Sequence, residues 1–241
     1  MQYFGLSNKG MVRGSNEDFF HVPQDTDDKT FFIVADGMGG ENAGEVASCL
    51  AVSSAAVYLN ENFYKENDVA ILLRKALNSA NKVVFETARS DVNYSSMGTT
   101  MVCAVIKNDQ VFVANVGDSR CYIVTENNLE QISIDHSFVQ EMVDKGMLTV
   151  DEAENHPNKN LITRAIGVAK FVNVDVFVKK WKKGDKILLA SDGLTGMVHA
   201  SEISKIINES SDCEKAVNKL IESANNAGGR DNITAVLISN D

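Results

Sequence analysis

The 241-residue chain is poor in residues that break or clasp a chain: two prolines, one tryptophan and four cysteines. With only Pro23 and Pro157, and no Pro-rich or Gly/Ser-rich stretch, nothing marks a linker, so one domain spanning 1–241 without internal repeats is expected. Cys49, Cys103, Cys121 and Cys213 lie far apart, show no CxxC spacing and sit mostly in apolar runs, where a thiol packs as a small hydrophobe. They read as reduced core residues of a cytoplasmic protein. The first thirty residues lack a basic start followed by an apolar stretch, and no run approaches a membrane span, so neither a secretory leader nor a membrane partner is expected. The Asn-x-Ser/Thr matches at Asn93, Asn208 and Asn232 are then chance hits. Long Lys/Arg clusters are also missing, and 23 basic against 33 acidic side chains give a net charge of −10. Nucleic-acid affinity rests largely on neutralising phosphates, so a nucleic-acid binder, including a metal nuclease, is disfavoured.

What is present is 44% apolar residues, enough for a substantial core. Thr30 to Ala35 reads as a strand, and Gly44 to Leu59 as a helix with Val46, Leu50 and Val57 on one face. A second helix starts near Asp68, a plausible N-cap, with Leu73, Leu77, Ala80 and Val84 at helical spacing. The period then changes to that of a β-meander: 97–106, QVFVANVGD after the Asn108-Asp109 turn, then CYIVT and LEQISI around Asn127-Asn128. Residues 137–160 turn polar and helical and read as an excursion or flap. Strands return at 171–178 and 186–191; two short helices follow, one with Ile203, Ile206 and Ile207, the other with Ala216, Val217, Leu220, Ile221 and Ala224, before a last strand, ITAVLIS. Helices in pairs and strands in meanders predict an α+β layered sandwich.

Four aspartates stand at the edges of apolar strands beside glycine: Asp36 in FFIVADGMGG, Asp118 in VFVANVGDSR, Asp192 in KILLASDG and Asp231 in NNAGGRDNITAVLI. Any one is ordinary turn chemistry; four in one chain are harder to dismiss. If these strand ends meet, mutual repulsion raises the carboxyl pKa values unless cations neutralise them. Magnesium and manganese, which take oxygen ligands and keep several waters, are the economical solution. HExxH, Cys/His clusters, EF-hand loops and the GxxxxGK[ST] phosphate loop are all absent. The glycines of DGMGG instead let backbone, including the Gly37 carbonyl, approach a metal closely. Arg13 is a candidate for bidentate phosphate binding, with a plain surface arginine as the alternative.

In chain order, GMVRGSNED, FFIVADGMGG, AGEVAS, MGTT, VANVGDSRCY, IDHS, ITRAIG, LLASDGL and GGRDNITAVLI resemble the motifs of the metal-dependent type 2C protein serine/threonine phosphatases in their compact bacterial form. The resemblance spans essentially the whole chain. It implies a four-layer sandwich of two antiparallel β-sheets flanked by helix pairs, with a metal site at one end between the sheets. It also implies hydrolysis of phosphoserine and phosphothreonine in proteins by a metal-bridging hydroxide, without a phosphoenzyme; no Cys-x5-Arg motif for a thiolate route exists. By the same resemblance Asp36 bridges two Mg2+ or Mn2+ ions, the Gly37 carbonyl binds one of them, and Asp192 and Asp231 complete the pair. Asp118 joins Asp192 on a third, weaker ion, Glu17 and Asp18 orient metal-bound waters, and Arg13 binds the substrate phosphate. The segment 137–160 matches the family's flap. Implied partners are phosphorylated proteins and a serine/threonine kinase, and a monomer is expected. Asn232 is expected to steady its loop, Thr99-Thr100 to pack within a strand, and His136 to be structural. Family members often carry a histidine in or just after DGxGG, a candidate general acid; here Met38 and Glu41 stand there. The alternative function is a catalytically weak, phosphoprotein-binding regulatory module, which the full set of aspartates and Arg13 disfavours.

Overall fold

Consecutive apolar residues, rather than alternating ones, fill the central strands, and a strand of that kind must be covered on both faces. The computed structural model, which describes residues 1–24, 29–39, 43–126 and 128–240, satisfies this with two sheets packed face to face. In chain order the elements are β1 (Gln2–Asn8), β2 (Asp18–His21), β3 (Phe31–Met38), α1 (Ala43–Asn62), α2 (Val69–Ser90), β4 (Gly98–Thr99), β5 (Met101–Lys107), β6 (Gln110–Val116), β7 (Arg120–Val124), β8 (Leu129–Gln131), α3 (Phe138–Asp144), α4 (Val150–Glu154), β9 (Asp175–Lys180), β10 (Lys186–Ala190), α5 (Asp192–Thr195), α6 (Ala200–Glu209), α7 (Cys213–Asn226) and β11 (Ile233–Ser239). One sheet runs β1-β11-β10-β7-β8; the other runs β2-β3-β5-β6-β9, with β4 also on β3. All named pairings are antiparallel.

Alternation along each strand divides the buried side chains among three cores and so makes four layers. In β3, Phe31, Ile33 and Ala35 face α1 and α2, while Phe32 and Val34 face the other sheet. In β11, Ile233, Ala235 and Leu237 meet the helices at the opposite surface, and Val236 and Ile238 point between the sheets. The α2 reading holds: Asp68 caps the helix by accepting from the Ala70 and Ile71 N–H groups, and Leu73, Leu77, Ala80 and Val84 are all buried. The α1 face is different from the expected one. Ala47, Ala51, Ala55 and Leu59 are buried, Val46 and Leu50 are half-buried, and Val57 is 57% exposed. Alanines let the helix lie close to the sheet, so the larger residues are turned outward.

Two other expectations are corrected. The β-meander is split, because β5 and β6 form a hairpin in one sheet whereas β7 and β8 belong to the other. The chain crosses between sheets at 117–119, where Gly117 has φ +106, a conformation that favours glycine. The strand expected at 171–178 begins only at Asp175, and Phe171 is 79% exposed. Strands β1 and β2 had no counterpart in the sequence reading. Between β8 and β9, residues 137–160 hold the two short helices α3 and α4 and no strand; Thr149 and Glu152 form a capping box at α4.

Candidate active site

Register brings the first two carboxylates together: antiparallel pairing of β2 and β3 sets Asp18 opposite Asp36. The Asp36 backbone is then fixed by its neighbour strand. Its N–H donates to Thr100 Oγ1 (3.0 Å), and its carbonyl accepts from the Thr100 N–H and the Thr99 hydroxyl, both at 2.8 Å. Thr100 Oγ1 also lies 2.7 Å from Ser119 Oγ, so one hydroxyl ties the Asp36 strand to the crossing loop that carries Asp118. The threonine pair therefore does more than pack.

The other sheet supplies the remaining pair. Asp192 opens α5 directly after β10, and Asp231 stands two residues before β11. Between them Ser191 Oγ and Thr234 Oγ1 both lie 2.7 Å from Asp18 Oδ2, stitching Asp18 to the opposing sheet. Asn232, expected to steady its own loop, also fastens the loop before β2. Its amide donates to the Lys9 and Ser15 carbonyls, and its Oδ1 accepts from the Glu17 N–H. Two glycines are required where α1 meets this loop. A Cβ on Gly37 would collide with the Gly44 carbonyl oxygen, and one on Gly44 with the Glu17 carboxylate. Ser191, Thr234 and Ser119 escaped the sequence reading because small hydroxyl residues at strand ends and beside Asp-Gly look like ordinary turn and strand chemistry.

These carboxylates are electrostatically costly as they stand. Burial, then repulsion from Asp18, Asp192, Asp118 and Asp231, pushes Asp36 well above the usual carboxylate range. Burial likewise raises Asp18 to about 7, against its two hydroxyl donors, and raises Asp118 to about 7, with Asp192 and Asp135 adding to it. Asp192 is raised by burial and by Asp231, with its interaction with Asp36 partly offsetting this. Glu17 is raised mainly by burial. Asp18 Oδ1 and Asp192 Oδ1 are buried without a hydrogen-bond partner among the described residues. Arg13 Nη2, on an exposed side chain, sits 2.8 Å from Asp231 Oδ2. Among the described residues no three His, Cys, Asp or Glu side chains already stand as one ion's ligand set. The Arg13 guanidinium does part of the neutralising that a dication would do.

Buried, orphaned carboxylate oxygens within a cluster of mutually repelling aspartates supply oxygen donors of the kind hard divalent cations take. The family model for protein phosphatase 2C matches residues 12–237, which include every one of these side chains. The chain belongs to the protein phosphatase 2C family. It is thus a protein phosphatase, with the α+β four-layer sandwich that the resemblance implied. Its sequence is 39% identical over 234 residues to the serine/threonine phosphatase stp of Listeria welshimeri, covering 96% of this chain and 93% of that one. The structure of the S. agalactiae serine/threonine phosphatase is 34% identical with a TM-score of 0.93, covering 100% of this chain and 99% of that one. The catalytic domain of the phosphatase PstP in complex with two manganese ions is 31% identical, with a TM-score of 0.86 and coverage of 98% and 96%. In this phosphatase Met38 ends β3, and Gly40 and Glu41, the latter at the family's frequent histidine position, lie outside the described residues. His136 is buried and hydrogen-bonded on both ring nitrogens, in keeping with a structural histidine.

Proposed function

We propose that this phosphatase removes phosphate from phosphoserine and phosphothreonine in proteins, with Mg2+ or Mn2+ held by the aspartate cluster. The observation that carries the reading is the group of mutually repelling carboxylates, with the orphaned Asp18 and Asp192 oxygens, at one end of the sandwich between the sheets. Asp36, Asp192, Asp231 and the Gly37 carbonyl would hold two ions, and Asp118 with Asp192 a third, weaker one. When bound, such ions lower the pKa of water and place positive charge against phosphoryl oxygens.

The chain's own groups do the rest. Asp36 and Asp192, whose carboxyls burial and repulsion raise, would be held as anions by nearby cations, since positive charge favours the ionised form. Asp18, its Oδ2 held by Ser191 and Thr234, keeps Oδ1 without a protein partner among the described residues, as an acceptor for ordered water, and Glu17 serves beside it. Arg13, relieved of Asp231, offers its guanidinium fork to the substrate phosphate. Residues 137–160 act as a flap over substrate access within one catalytic domain spanning 1–241. The family likeness supports a monomer working in the cytoplasm opposite a serine/threonine kinase; among the described residues no helix is long and apolar enough to cross a membrane.

Arg13→Ala should raise KM for a phosphothreonine peptide, lowering kcat/KM by about 2 kcal/mol as expected for a charged hydrogen bond. An unchanged KM would return Arg13 to the role of a surface residue. Asp118→Asn should retain two tightly bound manganese ions in calorimetry while turnover drops; loss of the tight pair would reject the assignment of Asp118 to the weaker ion. The reading as a whole is tested by phosphate release from a phosphothreonine peptide in excess over protein. Many equivalents released per chain are expected, whereas stoichiometric binding without release would mark a regulatory module.

A further inference from the structure

The Gly117-Asp118-Ser119 crossing has no regular secondary structure to hold it, yet the Asp118 carboxylate must stand at a defined place beside Asp192. The structure anchors both of its flanks. Ser119 is bonded to Thr100, and Gly117 is held by two buried side chains, His136 at its N–H and Asn115, whose Nδ2 donates to its carbonyl at 3.1 Å. The Gly117 N–H donates to His136 Nδ1 at 3.1 Å, and the backbone N–H of His136 donates back to the Gly117 carbonyl at 2.9 Å. A backbone N–H can only donate, so Nδ1 must be bare and the neutral ring carries its proton on Nε2. That proton has an acceptor, since Asp175 Oδ2 lies 2.9 Å from Nε2. Arg164 Nη1 is also 3.1 Å from Nε2, but a guanidinium cannot accept, and its charge is taken by Asp175 Oδ1 at 3.2 Å. The base of the 137–160 segment closes on the same residue: the Thr163 N–H donates to the His136 carbonyl and the Phe138 N–H to the Leu161 carbonyl, both at 2.8 Å.

We infer that His136 is a positioning residue for Asp118: its bare Nδ1, with the tautomer set by Asp175, holds the Gly117 amide and so fixes where the Asp118 carboxylate stands. The neighbouring ion-paired Asp175 and Arg164 and the flap base make this one connected unit. The inference rests on the proposed role of Asp118 at the weaker ion.

Two isosteres separate the two ring nitrogens. His136→Asn places a carbonyl oxygen where Nδ1 stands and abandons Asp175; His136→Gln sends its polar end to the position of Nε2 and leaves the Gly117 N–H without an acceptor. In manganese titrations followed by calorimetry, His136→Gln should weaken the weaker ion at least about tenfold, with the tight ions kept, and His136→Asn by less than about threefold. With phosphopeptide, kcat of His136→Gln should fall while KM stays. Wild-type affinity for the weaker ion in His136→Gln, or an equal loss in His136→Asn, overturns the inference. A readout without metal comes from 15N spectra of the chelated wild-type protein. They should show His136 protonated at Nε2 and the Gly117 amide protected from exchange; a ring protonated at Nδ1 overturns the clamp whatever the variants do. Asp118→Asn alongside keeps the two readings apart. If it leaves all manganese binding intact, the ion role of Asp118 falls, and the ring tautomer with Gly117 exchange in His136→Gln decides the clamp.

Discussion

Asp36→Asn is expected to lower kcat on a phosphothreonine peptide by roughly two orders of magnitude or more, the scale seen when a charge-stabilising group is removed from a reaction centre. The same substitution should make the chelated protein more resistant to heat. Asp36 is the most crowded carboxyl of the cluster, pushed upward by burial and by four other aspartates, so in the absence of cations it is an electrostatic liability. An amide of the same shape removes that charge. For a domain of this size, relief of about 1 kcal/mol raises Tm by roughly 2–4 °C. Activity and metal-free stability thus move in opposite directions, as expected where a fold stores repulsion at a working site. Calorimetric melting in chelator checks the second half; a lower Tm for Asp36→Asn would contradict it.

Stability of the chelated protein should fall as pH rises from about 4 to about 7. In an unfolded chain an aspartate gives up its proton near 3.9. In the fold Asp18 and Asp118 keep theirs to about 7, and Asp36 and Asp192 are raised as well. Between those limits the native state binds more protons than the unfolded one, so the unfolding free energy decreases with pH and levels off once the cluster is ionised. Asp212, lowered to about 2, acts below this window. Saturating manganese should remove the slope, because the ions bind the ionised cluster, and should add about 2.7 kcal/mol at a hundredfold excess over Kd. Urea melts at pH 5, 6, 7 and 8 decide this. A chelated protein whose stability is flat or rises over that range would show that the carboxylates do not repel one another in the fold.

Much of this architecture could be read directly from the chain. Asp68 before the Leu73, Leu77, Ala80 and Val84 pattern specified α2, and Asp36, Asp118, Asp192 and Asp231 at the edges of apolar strands raised the case of a shared cleft, conditional on those edges meeting, before any family likeness was invoked. The failures have physical reasons. Strands β1 and β2 have short or mixed patterns that a period of two cannot separate from loop. An alanine-faced helix such as α1 gives no apolar periodicity, so Val57 was assigned inward. Sheet membership is non-local: nothing in CYIVT indicates that β7 leaves the hairpin before it, and only Gly117 marks the crossing. Likewise Ser191 and Thr234 look unremarkable until β10 and β11 bring them onto Asp18, and Arg13 gave no sign in the sequence of pairing with Asp231.

The most direct measurement of the central claim is phosphate release from a phosphothreonine peptide by protein stripped of metal with EDTA and then titrated with manganese or magnesium. Turnover should vanish on stripping and return as the ions are added, and it should fail to return in Asp36→Asn, Asp192→Asn and Asp231→Asn. Undiminished turnover after exhaustive chelation would contradict the account.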